Sequence, residues 1–138
     1  MTLIERLPEG GKGECDMADQ ATANAPRSAS FLRIAIALQT LTIFLQAVSA
    51  GLLLTLPYGA TLHSVGARVM YGASMLYVLA AVLAWKPGGG PVRPVWQACG
   101  FLVLASVQVV SGIAHVPSVH LPLGVVMFGL SVLALARR

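Results

Sequence analysis

Four apolar runs, each long enough to cross a hydrocarbon core of about 30 Å as a helix of about 20 residues, dominate this chain. They cover residues 31–54, 64–85, 95–114 and 120–136. The segments between them, TLPYGATLH, KPGGGPVRP and HVPSV, are short and carry the Pro and Gly that stop helices and make turns. Links that short force neighbouring helices antiparallel. The fold class expected is therefore all-α, an integral membrane four-helix up-and-down bundle over residues 31–138. Residues 1–30 are polar and rich in Ala, Gly, Asp and Glu, which reads as a disordered cytoplasmic tail. Within that tail, EGGKGE reads as purine-rich codons resembling a ribosome-binding sequence, with Met17 as the expected start.

Charge narrows the chemistry. All five acids (Glu5, Glu9, Glu14, Asp16 and Asp19) lie within the first 19 residues. No Glu or Asp base is available inside the membrane, which removes paired-carboxylate catalysis and carboxylate-bridged metal sites. It also argues against a small transporter, whose ion path would use such a group. Cys15 and Cys99 have no CxxC or Cys/His spacing, so neither a disulfide framework nor a zinc site is expected. The basic residues sit at run ends: Arg27 and Arg33 at the first, Lys86 and Arg93 in the middle loop, Arg137 and Arg138 at the C-terminus. By the positive-inside rule both termini are cytoplasmic, in a multi-pass protein of the cell membrane. Trp85, Trp96 and Tyr58 fall at run ends as interfacial anchors. The lipid bilayer is thus the first partner, a membrane-protein partner or a homo-oligomer the second, and no clustered basic patch points to nucleic acid.

The two halves match in order. QAVSAG (Gln46 to Gly51) ends the first run and QVVSG (Gln108 to Gly112) ends the third. Each is followed by an outer loop and then a histidine opening the next run, in LHSVGA and VHLPLG. The unit is a helix with Gln-x-x-Ser, a loop, and a His-led helix with a glycine three or four residues later. Both pairs run out and then in, so this is a parallel internal two-helix repeat with its pseudo-twofold axis along the membrane normal. His63 and His120 are equivalents, and His115 stands outside the repeat.

In a bundle of this connectivity the second and fourth helices are diagonal, parallel and begin on the same side. Two imidazoles projecting inward from them can take one metal ion in axial geometry, and a haem iron fits. Gly66, Ala67, Gly124, Gly51 and Gly112 are small enough to leave room for a macrocycle. The competing reading makes the small residues close-packing positions and the histidines interfacial caps. Gln46 and Gln108 lie about two turns inside the run ends, either as interhelical hydrogen bonders or as support for a His ligand or a quinone-like headgroup. Arg68 has no acid to pair with and either snorkels to lipid phosphates or meets a haem propionate. Five residues turn through about 140°, so it does not share the His63 face. Tyr71, eight residues on, does share it and is placed to line the same cavity.

QVVSGIAHVPSVHLPLGVVMFGLSVLAL resembles the helix pair with Gln, Gly and a helix-leading Leu-His found in the haem A synthase family. LHSVGARVMYGASMLYVLAAVLAW resembles that family's other His-led helix. The resemblance covers about one of the family's two four-helix bundles, residues 31–138, and implies that His63 and His120 are an axial pair on haem. The chain is also similar to small four-helix bacterial membrane proteins that carry the Gln...Gly...Leu-His pattern twice. It lacks the acidic residue and the outer-loop cysteine pair of the synthases, and Ser64, not Arg, follows His63. Oxygenase activity therefore drops out of what the resemblance implies. The expectation is a protein binding haem b through His63 and His120, with Gln46, Gln108, Arg68 and Tyr71 around the cofactor, for electron transfer or haem handling. Its rival is a non-catalytic ancillary subunit of a larger membrane complex with no cofactor.

Overall fold

The computed structural model describes the backbone of residues 12–137 and the side chains of residues 27–137. Four helices carry them: α1 (Lys12–Leu52), α2 (Gly59–Trp85), α3 (Arg93–Ile113) and α4 (Pro117–Ala136). No strand occurs among the described residues. Each apolar run falls in its own helix, the first and third passing its end by two residues and one, and all four helices are long and apolar enough to cross a membrane. Helix α4 starts three residues earlier than its apolar run, with Pro117 in the first turn, where its missing N–H has no intrahelical partner to lose.

Helix α1 begins ahead of the first apolar run: the backbone of residues 12–30 is helical and continuous with it. The physical reason is local: residues 18–25 read ADQATANA, and alanine is the strongest helix former. Growing an existing helix adds one bond per residue and avoids the unfavourable nucleation step. The segment before Lys12, with the first half of EGGKGE, lies outside the described residues.

Packing follows a closed ring. Helix α1 packs on α2 and α4, and α3 packs on α2 and α4; the diagonals α1–α3 and α2–α4 make no such contact among the described residues. That is the up-and-down arrangement predicted by the short links. The core comes from Leu32, Ala35, Ile36 and Ile43 of α1, Met70, Tyr77, Ala80 and Ala81 of α2, Ala98, Phe101 and Ala105 of α3, and Met127 of α4. Their three- and four-residue spacing is that of one helix face. The opposite faces are also apolar: Trp96, Ile113 and Val125 are each 73% exposed. Helices apolar on all sides suit a hydrocarbon surround.

The internal repeat extends beyond the histidine end into the core. Counted from Gln46 and Gln108, Leu32, Ile36, Gln39 and Ile43 stand in register with Pro94, Ala98, Phe101 and Ala105, and each of these is buried. Counted from His63 and His120, Met70 matches Met127 and Ser74 matches Ser131, all buried. Side-chain contacts repeat as well. Tyr71 Oη meets Ser106 Oγ at 3.2 Å across α2–α3. At the equivalent positions across α4–α1, the rings of Phe128 and Phe44 are 6.0 Å apart. One pairing needs correction: in this register Gly112 matches Ala50, not Gly51, and a side chain added at Gly51 would point into open space.

Candidate functional site

His63 is the fifth residue of α2 and His120 the fourth of α4, so each sits about one turn inside its helix. Although their helices are diagonal and do not touch, the two imidazoles meet. Their ring centroids are 6.1 Å apart and their planes are inclined at 69°. Both residues are half-buried.

Each histidine is held by the preceding helix through the same residues. Gln46 Nε2 donates to the His63 carbonyl at 3.2 Å, and Gln108 Nε2 donates to the His120 carbonyl at 2.9 Å. Ser49 Oγ donates to the Gln46 carbonyl at 3.0 Å and lies 2.9 Å from His63 Nδ1. A hydroxyl has one proton. With that proton on the carbonyl, Ser49 accepts from the imidazole, which places the hydrogen on Nδ1 of His63. His120 Nδ1 lies 2.9 Å from the Gln108 carbonyl, which only accepts, so this ring also carries its hydrogen on Nδ1. Ser111 supports it, donating to the Gln108 carbonyl at 3.0 Å with its oxygen 3.4 Å from Nδ1. Assigned from this network, both neutral imidazoles keep a lone pair on Nε2, and no described hydrogen bond uses that nitrogen.

The small residues serve the glutamines and one imidazole. A methyl group added at Gly66 would run into the Gln46 amide nitrogen, and one added at Gly124 would stand 3.1 Å from the Gln108 amide nitrogen. At Gly112 it would stand 3.0 Å from Cε1 of His120. The room expected for a macrocycle at Gly66, Gly124 and Gly112 is thus taken by the site's own side chains. Gln108 Oε1 is buried with no hydrogen-bond partner among the described residues, leaving an acceptor open beside His120.

The other candidates separate from this centre. Tyr71 lies about 12 Å further along α2 than His63 and bonds Ser106. Arg68 is exposed on α2, away from the imidazoles, as its rotation from His63 predicts. His115 is exposed and has φ 54°, and it closes α3. Its N–H bonds the Gly112 carbonyl at 3.2 Å, and the Val116 N–H bonds the Ser111 carbonyl at 3.0 Å, the paired pattern of a left-handed helix stop. Since glycine adopts that backbone without a Cβ penalty, His115→Gly is expected to stabilise the protein by about 1 kcal/mol in a denaturation experiment. Ser49 and Ser111 were legible only as parts of the repeated Gln-x-x-Ser; their role needed the geometry.

No group of three or more His, Cys, Asp or Glu side chains that would hold a metal ion occurs among the described residues. Among the described residues this centre offers two imidazoles. A metal held here must bring its remaining ligands with it, which an iron porphyrin does. Imidazole nitrogens bind metals at about 2 Å and a ring centre lies about 1 Å behind its nitrogen, so two imidazoles opposed on one ion have centres about 6 Å apart. The separation of 6.1 Å is of that size. Neither a family model, nor a curated protein, nor a solved structure matches this chain.

Proposed function

We propose that this chain is a multi-pass protein of the cell membrane, with both termini cytoplasmic, that holds one b-type haem between His63 and His120. Its service is electron transfer or haem handling. The observation that carries the reading is the pair of imidazoles, symmetry-equivalent in the repeat, with centroids 6.1 Å apart and both anchored through Nδ1. Anchoring of that kind is what orients a histidine ligand and raises its basicity. It is also what the resemblance to one haem A synthase bundle implies. When bound, the haem supplies one-electron redox chemistry. The residues of the chain do the positioning. Ser49 and the Gln108 carbonyl fix the tautomer, and Gln46 and Gln108 pin the backbone of each histidine to its neighbouring helix.

The test is an absorption spectrum of protein purified from haem-replete cells, oxidised and then reduced. A Soret band with the sharp reduced bands of a six-coordinate low-spin haem is expected. Protein without a Soret band, and with none after reconstitution with hemin, overturns the proposal and leaves the ancillary-subunit reading.

A further inference from the structure

At the opposite end of the bundle the two halves of the repeat part company. A groove of about 540 Å³ opens between α3 and α4, with Gly100, Leu104, Leu130 and Ala134 along it and Trp96 and Arg137 at its mouth. In repeat register the matching α1–α2 seam has Leu38 where the groove has Gly100, and Tyr77 where it has Ala134. Tyr77 is 1% exposed and packs on Phe101 with ring centroids 6.1 Å apart. The first seam thus carries two larger side chains at the positions where the second has Gly100 and Ala134. The mouth differs too: Arg137 stands in register with Ala80, which is fully buried.

We infer that the α3–α4 groove is a binding site for one anionic glycerophospholipid, its acyl chain replacing the missing Leu and Tyr side chains and its phosphate on Arg137. This rests on the membrane reading above, though not on the haem. Three features favour such a lipid over a protein helix. The groove is narrow and apolar along the roughly 12 Å of α3 between Trp96 and Leu104, a length suited to part of one acyl chain. A cation stands at one end only, and no Asp or Glu side chain occurs in residues 20–138. Arg137 and Trp96 lie together at that end, where basic and indole side chains meet headgroups.

Trp96 reports occupancy directly. In a Trp85→Phe background it is the single tryptophan, and brominated acyl chains quench it on contact. The detergent-purified full chain is titrated with dibrominated phosphatidylglycerol and, separately, with dibrominated phosphatidylcholine. Phosphatidylglycerol is expected to quench at several-fold lower concentration. Arg137→Gln should remove that preference. Gly100→Leu should weaken quenching by both lipids at least threefold; a Cβ there meets nothing within 4 Å, and an unchanged helical circular dichroism spectrum checks that the variant folds. Equal quenching by the two lipids, unchanged by either substitution, would overturn the proposal as ordinary boundary lipid. So would absence of quenching together with a disulfide-linked dimer of Gly100→Cys, which would give the groove to a second copy. Chain that fractionates as soluble without detergent would remove the membrane reading and this lipid with it, whereas loss of the haem alone would touch neither.

Discussion

His63→Ala and His120→Ala should each lose the six-coordinate spectrum, with haem retention falling at least tenfold, while His115→Ala keeps both. A tenfold loss corresponds to about 1.4 kcal/mol, a lower bound for removing one of two protein ligands. The two variants are not equivalent. Removing the His63 ring frees the Ser49 oxygen near the helix end, where water can replace the contact. Removing the His120 ring leaves the Gln108 carbonyl and the buried Ser111 without their imidazole partner. The His120 variant is therefore expected to be the less stable of the two. Added imidazole separates ligation from folding: entering the space left by either ring, it should restore the low-spin bands of a folded variant. If both alanine variants keep the wild-type spectrum, the iron is held elsewhere and the proposed site fails. The control at His115 is strict, because that residue is exposed and has a backbone duty in closing α3.

Much of the architecture was legible because it is written in two periods. Runs of about 20 apolar residues set the four helices, and loops of a few residues set their antiparallel order. The pairing of His63 with His120 followed from the repeat alone, although these residues are 57 apart in sequence and their helices do not touch. What the repeat did not disclose is how each histidine is held. Gln46 and Gln108 had been read as interhelical hydrogen bonders or ligand support, and the acceptor proved to be the histidine backbone itself. Glycines near the site resembled vacancies because composition does not show which neighbour fills the space. The buried matches of Met70 with Met127 and Ser74 with Ser131 were also available in the sequence, at seven and eleven residues after each histidine. They were missed because methionine and serine in an apolar helix carry no chemical signal of their own. Gln39 was harder still. Its amide is buried with neither end hydrogen-bonded among the described residues, and its repeat partner is Phe101, so no periodic signal marks it.

Gly66→Val should destabilise the bundle by about 2–4 kcal/mol, and Gly124→Val by less. The first branched carbon at residue 66 would collide with the Gln46 amide nitrogen, so the glutamine must swing away and release the His63 carbonyl. Overpacking costs about 1–3 kcal/mol, and an interhelical hydrogen bond within a membrane adds about 1. At residue 124 the approach to Gln108 is looser, 3.1 Å, and a few tenths of an ångström of movement relieves it. Gly72 and Gly129 match each other in repeat register, as Gly66 and Gly124 do not, and a Cβ added there meets nothing within 4 Å. Gly72→Ala and Gly129→Ala are thus expected to leave stability unchanged or raise it by up to about 1 kcal/mol through helix propensity. A double-mutant cycle isolates the clamp. If the Gly66→Val loss comes from collision with Gln46, then Gly66→Val in a Gln46→Ala background should lose far less than in the wild type, with a coupling of at least 1 kcal/mol. Additive losses would mean that Gly66 matters to the backbone of α2 alone. Since the clamp joins protein groups only, the same coupling should appear in haem-free protein, which makes the fold of the site separable from its cargo.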